Sequence, residues 1–220
     1  NILGLNYLAK NDLKKSEEIL IKALQIDINN SSILNSLGRV YHEKRDSLKA
    51  EKYLLKAYKT NKDSYEIINN LAGFYREEGK YKKSIDLYLR ALIINPNNPT
   101  IINNLAKVYF DIGELKLAED YCLKALGFNK NDGNVQKILS LIYLYKQNYK
   151  TAWSYFDGRL ELSDFKEKNT SINFIRKKIL NLNKLSDDLN ILVLREQGVG
   201  DEILYGTMYS DLLNSYKNVN

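Results

Sequence analysis

Residues 65–98 read YEIINNLAGFYREEGKYKKSIDLYLRALIINPNN, and this stretch decides the fold. Leu71 and Tyr75 stand four apart and so share one helix face, with the small Ala72 beside the leucine. After the turn-compatible Glu78-Gly79-Lys80, a second set of residues, Ser84, Tyr88 and Ala91, has a helical spacing of its own. The stretch therefore reads as two antiparallel helices. Its small residues sit at points where two backbones must approach closely.

The same pattern recurs on either side when the sequence is shifted against itself by 34 residues. Tyr7, Tyr41, Tyr75, Tyr109 and Tyr143 form one column, and Leu3, Leu37, Leu71, Leu105 and Leu139 form another four positions earlier. Next to the leucines stand Gly4, Gly38, Ala72, Ala106 and Ser140. On the second helix the columns are Ser16, Ala50, Ser84, Ala118 and Ala152, then Leu20, Leu54, Tyr88, Cys122 and Phe156, then Ala23, Ala57, Ala91 and Ala125. One such hairpin cannot bury both of its faces, whereas stacked hairpins share a continuous core. The expected fold is mainly α: a solenoid of about five hairpins over residues 1–162, with units at about 1–30, 31–64, 65–98, 99–132 and 133–162. The first copy lacks its opening residues, and the alanine column breaks at Arg159, where the array is expected to end.

A period of 34 with this order of small and aromatic residues resembles the tetratricopeptide repeat. Pro96 stands where that family often carries proline, and Ile28, Lys62 and Lys130 take its place in other copies. The resemblance implies that the first helices line a concave groove that receives a protein or peptide. Two asparagine columns lie on those helices: Asn35, Asn69 and Asn103, and one position later Asn70 and Asn104. An amide both donates and accepts, so it can pair with a peptide backbone of any sequence. The second column resembles the asparagine ladder of O-linked N-acetylglucosamine transferases, with Ser36, Ile2 and Ile138 at the equivalent sites of the other copies. The competing reading is that asparagine is simply abundant in this chain.

Composition narrows the remaining classes. The chain has 220 residues, 44% of them hydrophobic, and a net charge of +6. Its lysines are scattered and interleaved with acidic residues rather than clustered, which argues against a nucleic-acid partner. No apolar run is long enough to span a membrane. The single cysteine, Cys122, rules out an internal disulfide and a cysteine-based metal cluster and fits a reducing, cytoplasmic setting. Cys122 and the tyrosine column are expected to be core, and the only histidine, His42, a surface residue.

The pattern changes beyond the array. Residues 163–188 are polar and read as a connector with one short apolar helical stretch. Residues 190–195 (NILVLR) then read as a buried parallel strand, residues 196–201 (EQGVGD) as a glycine loop, and Leu204, Met208 and Leu212 as a helix. Strand, glycine loop and helix open a nucleotide-binding α/β unit. Gly198 and Gly200 permit a tight turn, and the helix N-terminus suits an anion. The loop matches neither the dinucleotide fingerprint, since Ile203 occupies the third glycine position, nor the Walker loop.

Residues 191–213 resemble the start of the heptosyltransferase-like region that follows such repeats in bacterial glycosyltransferases. An aromatic–x–x–aromatic–acidic–x–Arg motif often closes the repeats of that family, and here it falls on Trp153, Phe156, Asp157 and Arg159. The resemblance implies a truncated Rossmann-like lobe of GT-B type over residues 189–220. The donor substrate would be a nucleotide sugar, and no cofactor is expected within this stretch itself. Asp201 aligns with the carboxylate that acts as base on the acceptor hydroxyl, and Glu196 and Gln197 would orient the loop or substrate. Asp201 read without the family is a helix N-cap. With so little of the lobe present, the chain is expected not to transfer sugar by itself. Two functions remain open: the recruiting arm of a glycosyltransferase, and a non-enzymatic interaction scaffold.

Overall fold

The computed structural model describes residues 1–156, and every structural statement below concerns these residues. Ten helices follow one another: α1 (Ile2–Ala9), α2 (Leu13–Ile26), α3 (Ser31–Glu43), α4 (Ser47–Thr60), α5 (Tyr65–Glu77), α6 (Tyr81–Ile94), α7 (Pro99–Asp111), α8 (Leu115–Phe128), α9 (Gly133–Tyr145) and α10 (Tyr149–Phe156). They form the five expected hairpins, and there is no strand among the described residues. The connector at 163–188 and the α/β unit at 189–220 lie outside the described residues, as do Asp157 and Arg159.

Turn chemistry repeats with the same period as the core. The turn inside each hairpin has one residue of positive φ: Asn11, Arg45, Gly79, Gly113 and Gln147, with φ between 58° and 82°. The residue after each donates its N–H to the carbonyl of the repeat tyrosine, from Asp12 to Tyr7 through Asn148 to Tyr143, at 2.8–2.9 Å. This is the Schellman ending, in which a left-handed residue satisfies carbonyls that the helix leaves open. The first helices then begin on side-chain caps at a fixed position, Asn30, Ser64, Asn98 and Asp132, each accepting from a first-turn N–H.

Each hairpin closes on its small residues. An ideal Cβ on Gly38 would stand 2.5 Å from Cγ of Leu54, and one on Gly4 would stand 2.6 Å from Cγ of Leu20. Where the small residue is Ala72 or Ala106, the opposing residue is Tyr88 or Cys122 instead. Leucine thus occupies the volume that an alanine methyl would need. Ser16 and Ser84 donate to the carbonyls of Gly4 and Ala72 at 2.7 Å, which satisfies two hydroxyls buried in the hairpin. Leu37, Leu71, Leu105 and Leu139 are buried, whereas Leu3 at the opening of the described chain is 56% exposed.

Each second helix packs on the next first helix, and α1, α3, α5, α7 and α9 also touch in sequence. The second helices make no comparable contacts with one another. One face of the array is therefore built from first helices alone.

The tyrosine column is less purely apolar than the sequence implies. Tyr41 and Tyr75 are buried, but the Tyr41 hydroxyl donates to Glu17 Oε1 at 2.6 Å, across the joint between hairpins. Tyr75 bonds Glu51 and Tyr143 bonds Glu119 in the same register. Lys44, Lys80 and Lys146 complete the three clusters as ion pairs to those carboxylates. In the remaining repeat Ile85 replaces the glutamate, and Tyr109 stacks on Tyr121 at 5.5 Å between centroids.

Candidate functional site

The asparagines singled out by sequence lie on the face made of first helices, on α3, α5 and α7. The structure joins the two columns to each other. Asn70 Nδ2 donates to Asn35 Oδ1 at 3.0 Å, and Asn104 Nδ2 donates to Asn69 Oδ1 at 3.0 Å. At the first joint Ser36 Oγ donates to Asn1 Oδ1 at 2.8 Å. Asn1 thus belongs to the earlier column, a member that the sequence reading missed although the period of 34 places it there. Each residue bonds the one 35 positions away because it reaches from one first helix to the next.

These bonds occupy half of each amide pair. At the α3–α5 joint the Asn35 Nδ2 donor and the Asn70 Oδ1 acceptor have no partner among the described residues, and at the α5–α7 joint the same holds for Asn69 Nδ2 and Asn104 Oδ1. All four residues are partly exposed. Successive joints therefore present one donor and one acceptor in the same arrangement.

A second set of bridges runs along the other end of the same helices. His42 Nε2 lies 3.0 Å from Glu77 Oε2, and Arg76 Nε lies 2.6 Å from Asp111 Oδ2. His42 also meets the Phe74 ring edge-on at 5.5 Å, so it is a structural link in the array. A cleft of about 600 Å³ opens between α1 and α3, with Leu5, Leu8 and Ala9 on one side and Arg39 and Glu43 on the other.

The α7–α9 joint departs from this scheme. Ile138 takes the place of the second asparagine, so Asn103 Oδ1 is buried with no hydrogen-bond partner among the described residues. At the far end an aromatic pair, Phe110 and Tyr145 at 5.9 Å, replaces the ion pair. One turn beyond Asn103 is Lys107, half-buried and without an ion-pair partner among the described residues. Burial, with Arg76 nearby, holds its ammonium below the usual lysine range.

Cys122 is fully buried, and burial pushes its thiol up to about 12, so it is inert core. No group of residues among those described could hold a metal ion, and no described helix is long and apolar enough to cross a membrane. Trp153 and Phe156 meet edge-on at 4.9 Å at the end of the described array. Glu196, Gln197, Gly198, Gly200 and Asp201 lie outside the described residues.

The family model described as "Tetratricopeptide repeat" matches residues 1–30, 31–64 and 99–132, and one described as "TPR repeat" matches 74–113. Together they take in more than half of the chain. The chain is a tetratricopeptide repeat protein. Similar solved structures include PilF of Pseudomonas aeruginosa, with a TM-score of 0.66 and 21% identity over 82% of this chain and 90% of that one. PilW, a type IV pilus biogenesis factor, gives 0.68 at 20% identity over 73% and 76%. MamA gives 0.61 at 24% identity over 76% and 96%. At these identities the likeness concerns the fold of the repeat array. No curated protein matches this one.

Proposed function

We propose that this tetratricopeptide repeat array binds an extended peptide along the face of its first helices, reading the backbone rather than the side chains. The observation that carries this reading is the repeated pair of unpartnered groups, Asn35 Nδ2 with Asn70 Oδ1 and Asn69 Nδ2 with Asn104 Oδ1. A peptide unit offers a C=O and an N–H, which these groups complement. The inter-helix bonds fix the orientation of each amide in advance, which lowers the ordering cost of binding.

The test is selection of short peptides from a random display library, followed by fluorescence anisotropy on an enriched sequence. The double substitution Asn70→Ala and Asn104→Ala is expected to raise Kd roughly tenfold, because each lost bond is worth about 0.5–1.5 kcal/mol. It also removes two inter-helix donors, so a modest fall in melting temperature accompanies the loss. An unchanged Kd, or a library that yields no binder, rules the reading out.

The same array would then serve as the acceptor-recruiting arm of an attached, nucleotide-sugar-dependent glycosyltransferase in a cytoplasmic setting. The support is the sequence of residues 196–202 (EQGVGDE), preceded by the Trp153 and Phe156 motif. In a chain carrying a complete lobe, Asp201→Ala is expected to abolish measurable sugar transfer while leaving peptide affinity intact. Retained turnover would leave the scaffold reading in its place.

A further inference from the structure

We infer that the third hairpin carries a subsite for a side-chain amide. Gly73 leaves a notch in α5, and the Tyr88 hydroxyl at its floor donates to the carbonyl of a glutamine or asparagine side chain on the bound peptide. The inference rests on the peptide reading above insofar as it takes the first-helix face as the one a ligand meets.

Two observations, independent of each other, meet at this point. The first is a glycine that the fold does not require. Glycine inside a helix costs stability relative to alanine, and it is needed where φ is positive or a neighbour leaves no room for a Cβ. Gly79 and Gly113 meet the first condition, and Gly4 and Gly38 meet the second. Gly73 lies in the middle of α5 and meets neither. Outside its own helix, a Cβ on Gly73 would meet one atom, Tyr88 Oη at 3.4 Å, which is an ordinary contact. Gly73 is four residues from Asn69 and Glu77 and three from Asn70 and Arg76, so it shares the face that carries both sets of inter-helix bridges. Arg39 and Lys107 hold the same position on the helices either side, so the groove floor is lowest at α5.

The second observation is an unpartnered phenol. Tyr88 is 1% exposed, with its ring among Ile68, Ala72, Ala91 and Leu105. Its hydroxyl has no hydrogen-bond partner among the described residues. The oxygen is not fully enclosed, because Asn103 Oδ1 is the one enclosed side-chain polar atom without a partner there. The missing Gly73 side chain supplies the opening. In the neighbouring hairpins the two positions hold Arg39 with Leu54 and Lys107 with Cys122, so a hydroxyl beneath a glycine belongs to the third hairpin.

The chemistry of the notch selects its occupant. Burial pushes the phenol above the usual tyrosine range, so it stays protonated and acts as a donor. The fields of Arg76 and Glu77 on it oppose each other, and these two groups are already bridged to Asp111 and His42. A carboxylate brought here would lose its water without gaining a free cation, whereas a neutral carbonyl needs the donor alone. The notch has the width of the absent methyl and admits one oxygen. It lies three to four residues beyond the asparagines, about 4.5–6 Å along the helix axis. The stem of a glutamine spans that step, and a serine hydroxyl falls short of it. The subsite therefore adds side-chain selectivity to a groove that is otherwise indifferent to sequence.

The probe is propionamide, which reproduces the end of a glutamine side chain, set against propionate. Binding is read by NMR on the whole chain, from the Gly73 amide and the Tyr88 ring signals. Propionamide is expected to give saturable shifts at both, with propionate at least roughly tenfold weaker. Tyr88→Phe, which keeps the ring, and Gly73→Ala, which fills the notch, each lose the response. Thermal unfolding separates this loss from misfolding. Tyr88→Phe is expected to melt no lower than the parent and Gly73→Ala to melt higher, since each removes a feature the fold does not need. A lower melting temperature for Gly73→Ala, equal or tighter binding of propionate, or no saturable shift overturns the subsite. Asn70→Ala with Asn104→Ala leaves the response in place, so the two ideas fail separately. Peptides that depend on the asparagines while propionamide gives no shift sink the subsite alone. Capture of propionamide with no effect of the asparagines on peptide affinity sinks the ladder alone.

Discussion

Leu54→Ala is expected to destabilise the array by about 2–5 kcal/mol, as truncation of a fully buried leucine does when its surroundings cannot collapse. Leu54 is 1% exposed and belongs to the cluster that includes Leu37, Val40, Tyr41 and Leu71, so the void opens between two hairpins rather than at the surface. Its neighbour makes the prediction sharper. Gly38→Ala alone places a methyl 2.5 Å from Leu54 Cγ and 3.2 Å from the Leu54 backbone nitrogen. The overpacking costs about 1–3 kcal/mol, against a helix-propensity gain of roughly 0.5–1 kcal/mol for replacing glycine. The double variant joins a methyl to the space that the leucine vacates, and so imitates the Ala106 and Cys122 pair two repeats on. Its loss should fall short of the sum of the single losses by about 1–2 kcal/mol. Urea denaturation of the four proteins measures this, and strict additivity would show that the two residues do not share one volume.

Acid is expected to weaken the array by about 2 kcal/mol through two glutamates alone. Hydrogen bonds from Lys44 and Tyr41 hold Glu17 below the ordinary glutamate value of 4.5. Burial raises Glu119, but the bonds from Lys146 and Tyr143 outweigh it and leave that group lowered as well. A carboxyl whose folded pKa is depressed contributes stability above its unfolded value and loses it as pH falls through the folded one. The window therefore begins near pH 4.5 and extends downward. Charge-assisted bonds are worth about 1.5–3 kcal/mol each when shielded from water, and partial solvent exposure leaves about 1 kcal/mol for each of these two carboxylates. Denaturation midpoints at pH 7 and pH 3.5 test the idea. Glu17→Gln with Glu119→Gln should flatten the acid limb, and an unaltered limb would assign the loss to other carboxylates.

The hairpin core was open to reading from sequence because burial writes a period. Leu37, Tyr41, Ala50 and Leu54 all recur at 34, and all are core. The cap column Asn30, Ser64, Asn98 and Asp132, and the carboxylate column Glu17, Glu51 and Glu119, recur with the same period, and a search for polar periodicity would have found them. What a period of 34 conceals is any contact that crosses a joint. Asn35 bonds Asn70, His42 pairs with Glu77 and Arg76 with Asp111, each at a separation of 35. Such pairs join different columns, so column-by-column comparison sees an asparagine in each and not the bond between them. Lys107 was invisible for the opposite reason: its significance is that a partner is missing, and only geometry reveals that.

The asparagine bond between neighbouring first helices gives the chain a grammar for growth. Its donor and its acceptor occur in the same unit, Asn70 looking back to Asn35 and Asn69 looking forward to Asn104. A tandem duplication of residues 65–98 would therefore be spliced in with every new seam already bonded, Asn70 of the second copy meeting Asn69 of the first. A duplication of residues 133–166 could not do this, since Ile138 has no amide to offer. The second, third and fourth units each carry both partners of the bond, so the groove can lengthen by copying any of them, and Ile138 marks where such copying stops being neutral.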